Sequence, residues 1–227
     1  MQKAVFKDLG LIEFGEAWKL QQGIFDKILQ SKKLQQLTPT THQLLFCEHP
    51  HVYTLGKSGN DSNLLINEKE LAKYGASFFH IDRGGDITYH GPGQLVAYPI
   101  FDIQTLKIGI KEYVHRLEDV VIQSLAEFSI SASRLEGATG VWLDSEKPSA
   151  RKICAIGVKA SRFITMHGFA FNINTDLNYF NYINPCGFVD KGVTSLSKEL
   201  GQNIDFESVK RIVLSKFINV FDLNFHQ

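Results

Sequence analysis

Cysteine is scarce, with three residues in a chain of 227. Three thiols in this length do not make a disulfide framework, so a reducing compartment is the simpler expectation. An excess of one charge is lacking as well: 24 basic side chains stand against 24 acidic ones, for a formal net charge of zero. With no long basic run either, nucleic acid is a poor default partner. No apolar run is long enough to span a bilayer, so no membrane is expected. The N-terminal stretch "MQKAVFKDLGLIEFGEAW" has no secretory apolar region with a small-residue cleavage site, and it is not rich in Arg and Ser. These absences together point to a soluble, cytoplasmic protein. No internal repeat and no low-complexity linker interrupts the chain. With 44% hydrophobic residues, it has material for an ample core and reads as one domain over 1–227.

What is present alternates between strand and helix patterns. "AVFKDLGLIEF" is strand-like and leads into a helix near 16–30, where Leu20, Ile24 and Ile28 recur every four positions beside Trp18, Phe25 and Leu29. "HQLLFCE" and "HVYTLGK" read as strands. "NEKELAKYG" reads as a short helix with Asn67 as N-cap and Gly75 as its stop. "ASFFHID" is a further strand, and "ITYHGPGQLVAYPIFDI" reads as a hairpin turning at Gly-Pro-Gly. A long helix is expected at about 109–129 with Tyr113, Leu117, Val120, Val121, Leu125 and Phe128 on one side. "GVWL", "KICAIGVKA" and "FITMHGFAFNIN" return to strand. A last helix near 205–221 presents Phe206, Val209, Ile212, Val213, Phe217 and Val220. The fold class is α/β (α+β), a mixed sheet flanked by helices.

Chemistry has few places to reside. Cys186 sits in "NYINPCGFVD", residues 181–190, between a proline and a glycine. That is a turn context, in which a reactive group is displayed more readily than inside a strand. A free thiol is only a few per cent ionised at neutral pH, so a nucleophile needs a cation or base beside it. The alternative is a tolerated loop thiol. Cys47 and Cys154 fall within strands and read as core. Lys152 in "SARKICAIGVKAS" is the candidate cation. Strand alternation sets it on one face with Cys154, Ile156 and Val158, and sets Ile153, Ala155, Gly157 and Lys159 on the other. It is either a strand-end lysine reaching for water or the neighbour of Cys186. At ~4 Å and an effective dielectric near 20 the attraction is about 4 kcal/mol, more than a two-unit fall in thiol pKa requires.

"RGGDITYHGPGQL" (83–95) permits close approach of backbone amides to a carbonyl or anion, but it matches neither common nucleotide loop. "MHGFAFNIN" breaks its strand at His167 and Gly168, which marks a bulge or a close backbone contact, with His167 readable as structural. "CEHPH" sets Cys47, His49 and His51 at alternate positions. With no second ligand pair at a zinc-like spacing, no metal is expected.

In combination, "EHPHVYTLGK", "RGGDITYHGPGQLVAYPI", "RKICAIGVK", "HGFAFNIN" with Asp176, Leu177 and Phe180 beyond it, and "INPCG" resemble the lipoyl(octanoyl) transferases from roughly residue 10 to 220. That family shares its fold with the biotin and lipoate protein ligases. The resemblance implies Cys186 as nucleophile and Lys152 as its tuning partner. It implies acyl-substrate contacts from Arg83, Gly84, Gly85, Asp86, Ile87, Thr88, Tyr89 and His90, from Ala155, Ile156 and Gly157, and from Gly168, Phe169 and Ala170. There are two departures. Lys57 stands where Arg is common, losing a bidentate fork, and Met166 precedes the histidine where another side chain is frequent.

The implied reaction moves octanoyl from octanoyl-acyl carrier protein onto Cys186, then onto a lysine of a lipoyl domain of the 2-oxoacid dehydrogenases or of the glycine cleavage H protein. It requires no cofactor, ATP or metal. Backbone amides at Gly84–Gly85 or Gly168–Phe169 are candidate oxyanion donors. Arg151, Lys152, Lys159 and Arg162, with Lys57 and Arg83, are a candidate positive rim for acidic carriers. The rival readings are an ATP-dependent lipoate or biotin ligase, a carrier thioesterase, and a non-catalytic carrier-binding module.

Overall fold

The computed structural model describes residues 2–34, 41–184 and 191–226. The chain opens with β1 (Gln2–Leu11) and α1 (Phe14–Lys33). Next come β2 (His42–Glu48) and β3 (Val52–Leu55). Helix α2 (Glu68–Lys73) is started by Asn67, whose side chain accepts from the Glu70 amide while the Glu70 carboxylate accepts from the Asn67 amide. Asn67 is the N-cap the sequence predicts, the return bond from Glu70 completes a capping box, and Gly75 ends the element at φ +61°. Strands β4 (Ser77–His80), β5 (Ile87–His90) and β6 (Gln94–Ile100) lead to α3 (Ile110–Ala126). The rest is β7 (Val141–Leu143), β8 (Arg151–Ser161), β9 (Ile164–Asn172), β10 (Gly192–Val193), α4 (Leu196–Leu200), α5 (Phe206–Phe221) and β11 (Leu223–His226).

Two sheets result, and both are mixed. The large one runs β10-β8-β9-β6-β2-β1-β11 with β7 added on β8, and the small one runs β4-β3-β5. The expected hairpin across Gly-Pro-Gly is not one. β5 pairs with β3 in the small sheet, whereas β6 pairs with β2 and β9 in the large one. The turn therefore carries the chain between sheets, and Gly93 allows this at φ +78°, where a Cβ would stand 2.7 Å from the Asn174 carbonyl. The true hairpin is β8–β9, closed by Arg162 and Phe163, both left-handed, the conformation that suits the twist of a two-residue loop.

Alternation along β2 sorts the core. Leu44 and Phe46 face α3 and α5, where Tyr113, Leu117, Val121, Val213 and Phe217 pack. Leu45 and Cys47 face α1 with Phe25 and Ile28. The α3 face is the one the periodicity predicts; on α5 Val209, Val213 and Phe217 are buried as expected, with Phe221 completing the line and Ile212 outside the cluster. On α1 the buried line runs through Phe14, Ala17, Gln21, Phe25 and Ile28, with Leu20 and Ile24 at its flank. Gln21 is half satisfied there: its Oε1 accepts from the His167 amide at 3.2 Å, while its buried Nε2 has no hydrogen-bond partner among the described residues.

Candidate active site

On the α1 side of the large sheet, where it meets the small sheet, lies a cavity of about 440 Å³. One wall is the β8–β9 hairpin, with Ala155 opposite Ala170 and Gly157 opposite Gly168. These residues are small for a physical reason. A Cβ at Gly157 would stand 2.9 Å from the Gly84 carbonyl, and one at Gly168 would stand 2.1 Å from the Ala97 carbonyl. The loop at 83–85 is thereby pressed onto β8, and the Gly84 amide donates to the Val158 carbonyl at 2.9 Å. That amide is committed to the fold, which removes it from the candidate oxyanion donors.

Lys152 reaches this cavity by a register shift. Val141 pairs with Cys154 and Trp142 pairs with Lys152, so one step on β7 matches two on β8. Such a bulge reverses the facing of the residues beyond it. Ile153 and Cys154 both enter the α3/α5 core, whereas Lys152 joins Ala155 and Gly157 on the cavity side. Simple alternation groups Lys152 with Cys154; the bulge overturns that. The Lys152 ammonium donates to the Thr139 carbonyl at 3.2 Å and lies 4.7 Å from the Trp142 ring centroid, a favourable cation–π distance.

Most of the other predicted contact residues converge here. Arg83, Gly85, Asp86, Ile87, Thr88 and His90 line the cavity, as do Ile156 and Phe169. Gly84 and Tyr89 are not among the described residues that line it. Tyr89 turns into the small sheet's aromatic cluster, stacked on Tyr179 and bonded through its hydroxyl to His51 Nδ1 at 2.7 Å. Cys186 lies outside the described residues. Its described neighbours on both sides, Phe180 and Lys191 to Val193, line the cavity.

Polar groups around the cavity are held by one another. Arg83 donates to the Thr54 carbonyl at 2.7 Å and to Thr54 Oγ1 at 3.0 Å. His167, in the left-handed region at φ +62°, meets Asp82 through Nε2 at 3.0 Å, and Lys159 donates to the other Asp82 oxygen. The hydrogen bond from His167 and the nearby Lys159 hold the Asp82 carboxyl far below the usual carboxylate range. Burial lowers His90 to about 3, with His49 nearby adding to the effect, and burial lowers His49 to about 4. Both are neutral at physiological pH, and His49 accepts from the Tyr98 hydroxyl at 2.7 Å while its Nδ1 donates to the Ile12 carbonyl. Burial pushes the Cys47 and Cys154 thiols up, consistent with core packing.

The expected positive rim is narrower than the sequence suggests. Arg151 is bonded to Asp144 and Glu199, Lys159 to Asp82, and Arg83 to Thr54. Among the residues that sequence reasoning passed over are Gly137 to Thr139, Trp142, Gln94, Tyr98 and Asn172, with Phe14, Ile81 and Val96 adding apolar lining. Among the described residues no group of three or more His, Cys, Asp and Glu side chains could hold a metal ion, and no helix is long and apolar enough to cross a membrane.

Residues 14–218 match the model of the lipoyl protein ligase A/B catalytic domain. An octanoyltransferase of Bacteroides fragilis is 55% identical over 92% of this chain and 93% of its own. One of Parabacteroides distasonis is 55% identical over 97% of this chain and 100% of its own. Among solved structures, the bipartite lipoate protein ligase of Thermoplasma acidophilum superposes with a TM-score of 0.72 at 14% identity, covering 100% of this chain and 87% of that one.

Proposed function

Because the chain belongs to the lipoyl protein ligase A/B catalytic-domain family, we propose that Cys186 and Lys152 are the working pair of its reaction. The chain is an acyltransferase, and its reaction is the octanoyl transfer of protein lipoylation. It takes an acyl donor and a lipoyl-domain acceptor. In the finer reading the donor is octanoyl-acyl carrier protein, and the acceptors are the lipoyl domains of 2-oxoacid dehydrogenases and the glycine cleavage H protein.

The thiolate of Cys186 attacks the donor's thioester carbonyl. The tetrahedral intermediate collapses with loss of the carrier thiolate, and octanoyl remains on Cys186. The lipoyl-domain lysine, neutral when it attacks, displaces Cys186 and leaves as an amide. Lys152 serves twice. As a cation it favours the thiolate before acylation. On acylation it gives a proton to the departing carrier thiolate, the neutral amine being favoured once its anionic partner is gone; in the second half it takes the proton that the attacking amine sheds and is an ammonium again when Cys186 leaves as a thiolate. The octanoyl tail lies against Ala155, Gly157, Gly168 and Ala170, each buried methylene contributing about 0.8 kcal/mol. Passing from thioester to amide is downhill, so no ATP is consumed.

The observation that carries this reading is the shared wall. Lys152 and the small residues of the β8–β9 hairpin line one cavity with the residues on either side of the Cys186 segment. The test is mass spectrometry after mixing the protein with octanoyl-carrier in the absence of ATP. An octanoyl adduct is expected on Cys186, lost in Cys186→Ala and discharged to a lipoyl domain on its addition. An absolute requirement for ATP, or release of free octanoate at the transfer rate, overturns the reading.

A further inference from the structure

Glu118 is a carboxylate that the reaction does not use and that sits almost wholly inside the molecule, its side chain 5% exposed. It is one of the buried positions of α3, next in the chain to Leu117 of the helix's apolar stripe. A carboxylate in such a place is costly unless it is paired and hydrogen-bonded. Both of its oxygens are engaged. Oε2 accepts from Arg134 Nε at 2.7 Å, and Oε1 accepts from the Gly140 amide at 3.1 Å. Arg134 is itself tied down by the His115 carbonyl and by Asp119.

The Gly140 N–H and the Thr139 C=O belong to one peptide unit. A trans peptide is planar, and its N–H and C=O point in opposite directions. One end of this plane faces the Glu118 carboxylate and the other faces the Lys152 ammonium, at 3.1 Å and 3.2 Å. We infer that Glu118 is a positioning residue for Lys152, acting across the Thr139–Gly140 peptide, whose plane it fixes and whose carbonyl it polarises toward the ammonium. Linked hydrogen bonds reinforce one another in this way. The backbone supports the arrangement. Gly140 has φ +128°, a conformation open to glycine, and a Cβ there would stand 2.5 Å from the Cys154 carbonyl. The Trp142 indole N–H closes the same loop by donating to the Ala138 carbonyl at 2.8 Å.

The inference rests on the Cys186–Lys152 reading, and the experiment separates the two. The readout is the pH dependence of Cys186 alkylation by iodoacetamide, followed by mass spectrometry; Cys47 and Cys154 are buried. The variants are Lys152→Ala, Glu118→Ala, Glu118→Gln and the double variant Lys152→Ala/Glu118→Ala. Glu118→Ala is expected to slow alkylation about tenfold near neutral pH and to move its limb upward by about one unit, the same effect expressed two ways. Glu118→Gln, which keeps an oxygen for the Gly140 amide, is expected to fall between it and the parent. That variant carries the test if Glu118→Ala does not fold. In the Lys152→Ala background the Glu118 change is expected to add less than twofold. An unmoved limb in both Glu118 variants while Lys152→Ala shifts it, or additive losses in the double variant, overturns the positioning role and leaves the dyad standing. An unmoved limb in Lys152→Ala itself overturns the dyad and this inference with it.

Discussion

Val193 stands in parallel register with Lys152, and the amide of the next residue, Thr194, donates to the Lys152 carbonyl at 2.9 Å. The chain leaving the Cys186 segment is thus laid along the proposed partner of Cys186. On its other flank, the Asn184 amide donates to the Asn63 carbonyl at 2.8 Å. The segment carrying the thiol is anchored at both ends by backbone hydrogen bonds to separate parts of the molecule.

The Thr194 anchor depends on Asn172. Its Nδ2 donates to the Thr194 carbonyl at 3.0 Å, and its Oδ1 accepts from Gln94 Nε2 at 2.8 Å. Asn172→Ala leaves two buried polar groups without those partners, at a cost of about 1–3 kcal/mol for each unsatisfied group. A lower urea midpoint is expected, together with a fall in turnover that persists under conditions where the variant is fully folded. A midpoint equal to that of the parent would show that Asn172 does not hold the strand.

Ala155 and Ala170 face each other across the hairpin and both line the cavity. Ala155→Leu places an isobutyl group where the acyl tail is proposed to lie. Displacing two substrate methylenes loses about 1.6 kcal/mol, roughly tenfold in kcat/KM. The octanoyl donor is expected to suffer that loss and a butyryl donor less than threefold. Equal losses for both chain lengths would place the tail elsewhere.

Acid should weaken the fold through its buried histidines. His49 and His90 titrate near 4 and 3 in the folded protein, against about 6.5 unfolded. The unfolded chain therefore takes up protons first as pH falls. The stabilisation is complete above about 6.5 and is lost as pH drops toward the folded values, by about 3 kcal/mol for His49 and about 5 kcal/mol for His90 at the limit. Urea midpoints measured between pH 7.5 and 4 are expected to decline, and His49→Gln, if folded, to decline less steeply. A flat profile across that window would contradict neutral burial.

The legible parts of the sequence are those written in periodicity and local turn chemistry. The Asn67 cap, the α3 stripe and the α5 stripe emerge from i, i+3, i+4 spacing and from one side chain reaching its own helix terminus. The contact residues from Arg83 to His90, from Ala155 to Gly157 and from Gly168 to Ala170 come from family resemblance, and most of them meet at one cavity. The features that escape are non-local. The loop before β6 switches sheets because partner strands far along the chain compete for β5 and β6. Gln21 and Glu118 break apolar stripes, and only their distant partners, His167 and Gly140, explain them. The facing of Lys152 is misread because alternation assumes an unbroken ladder, and the extra residue on β8 is visible only against β7.

That extra residue makes the parity of β8 matter as much as its composition. At its present length an unbroken ladder would put Lys152, three positions from Ala155, on the opposite face and drive a charged amine toward Phe171 and Leu117 in the core, where an unpartnered ammonium is strongly disfavoured. The facing of the amine thus rests on how β8 pairs with β7, so a change on β7 that straightens the ladder would reach Lys152 without touching it.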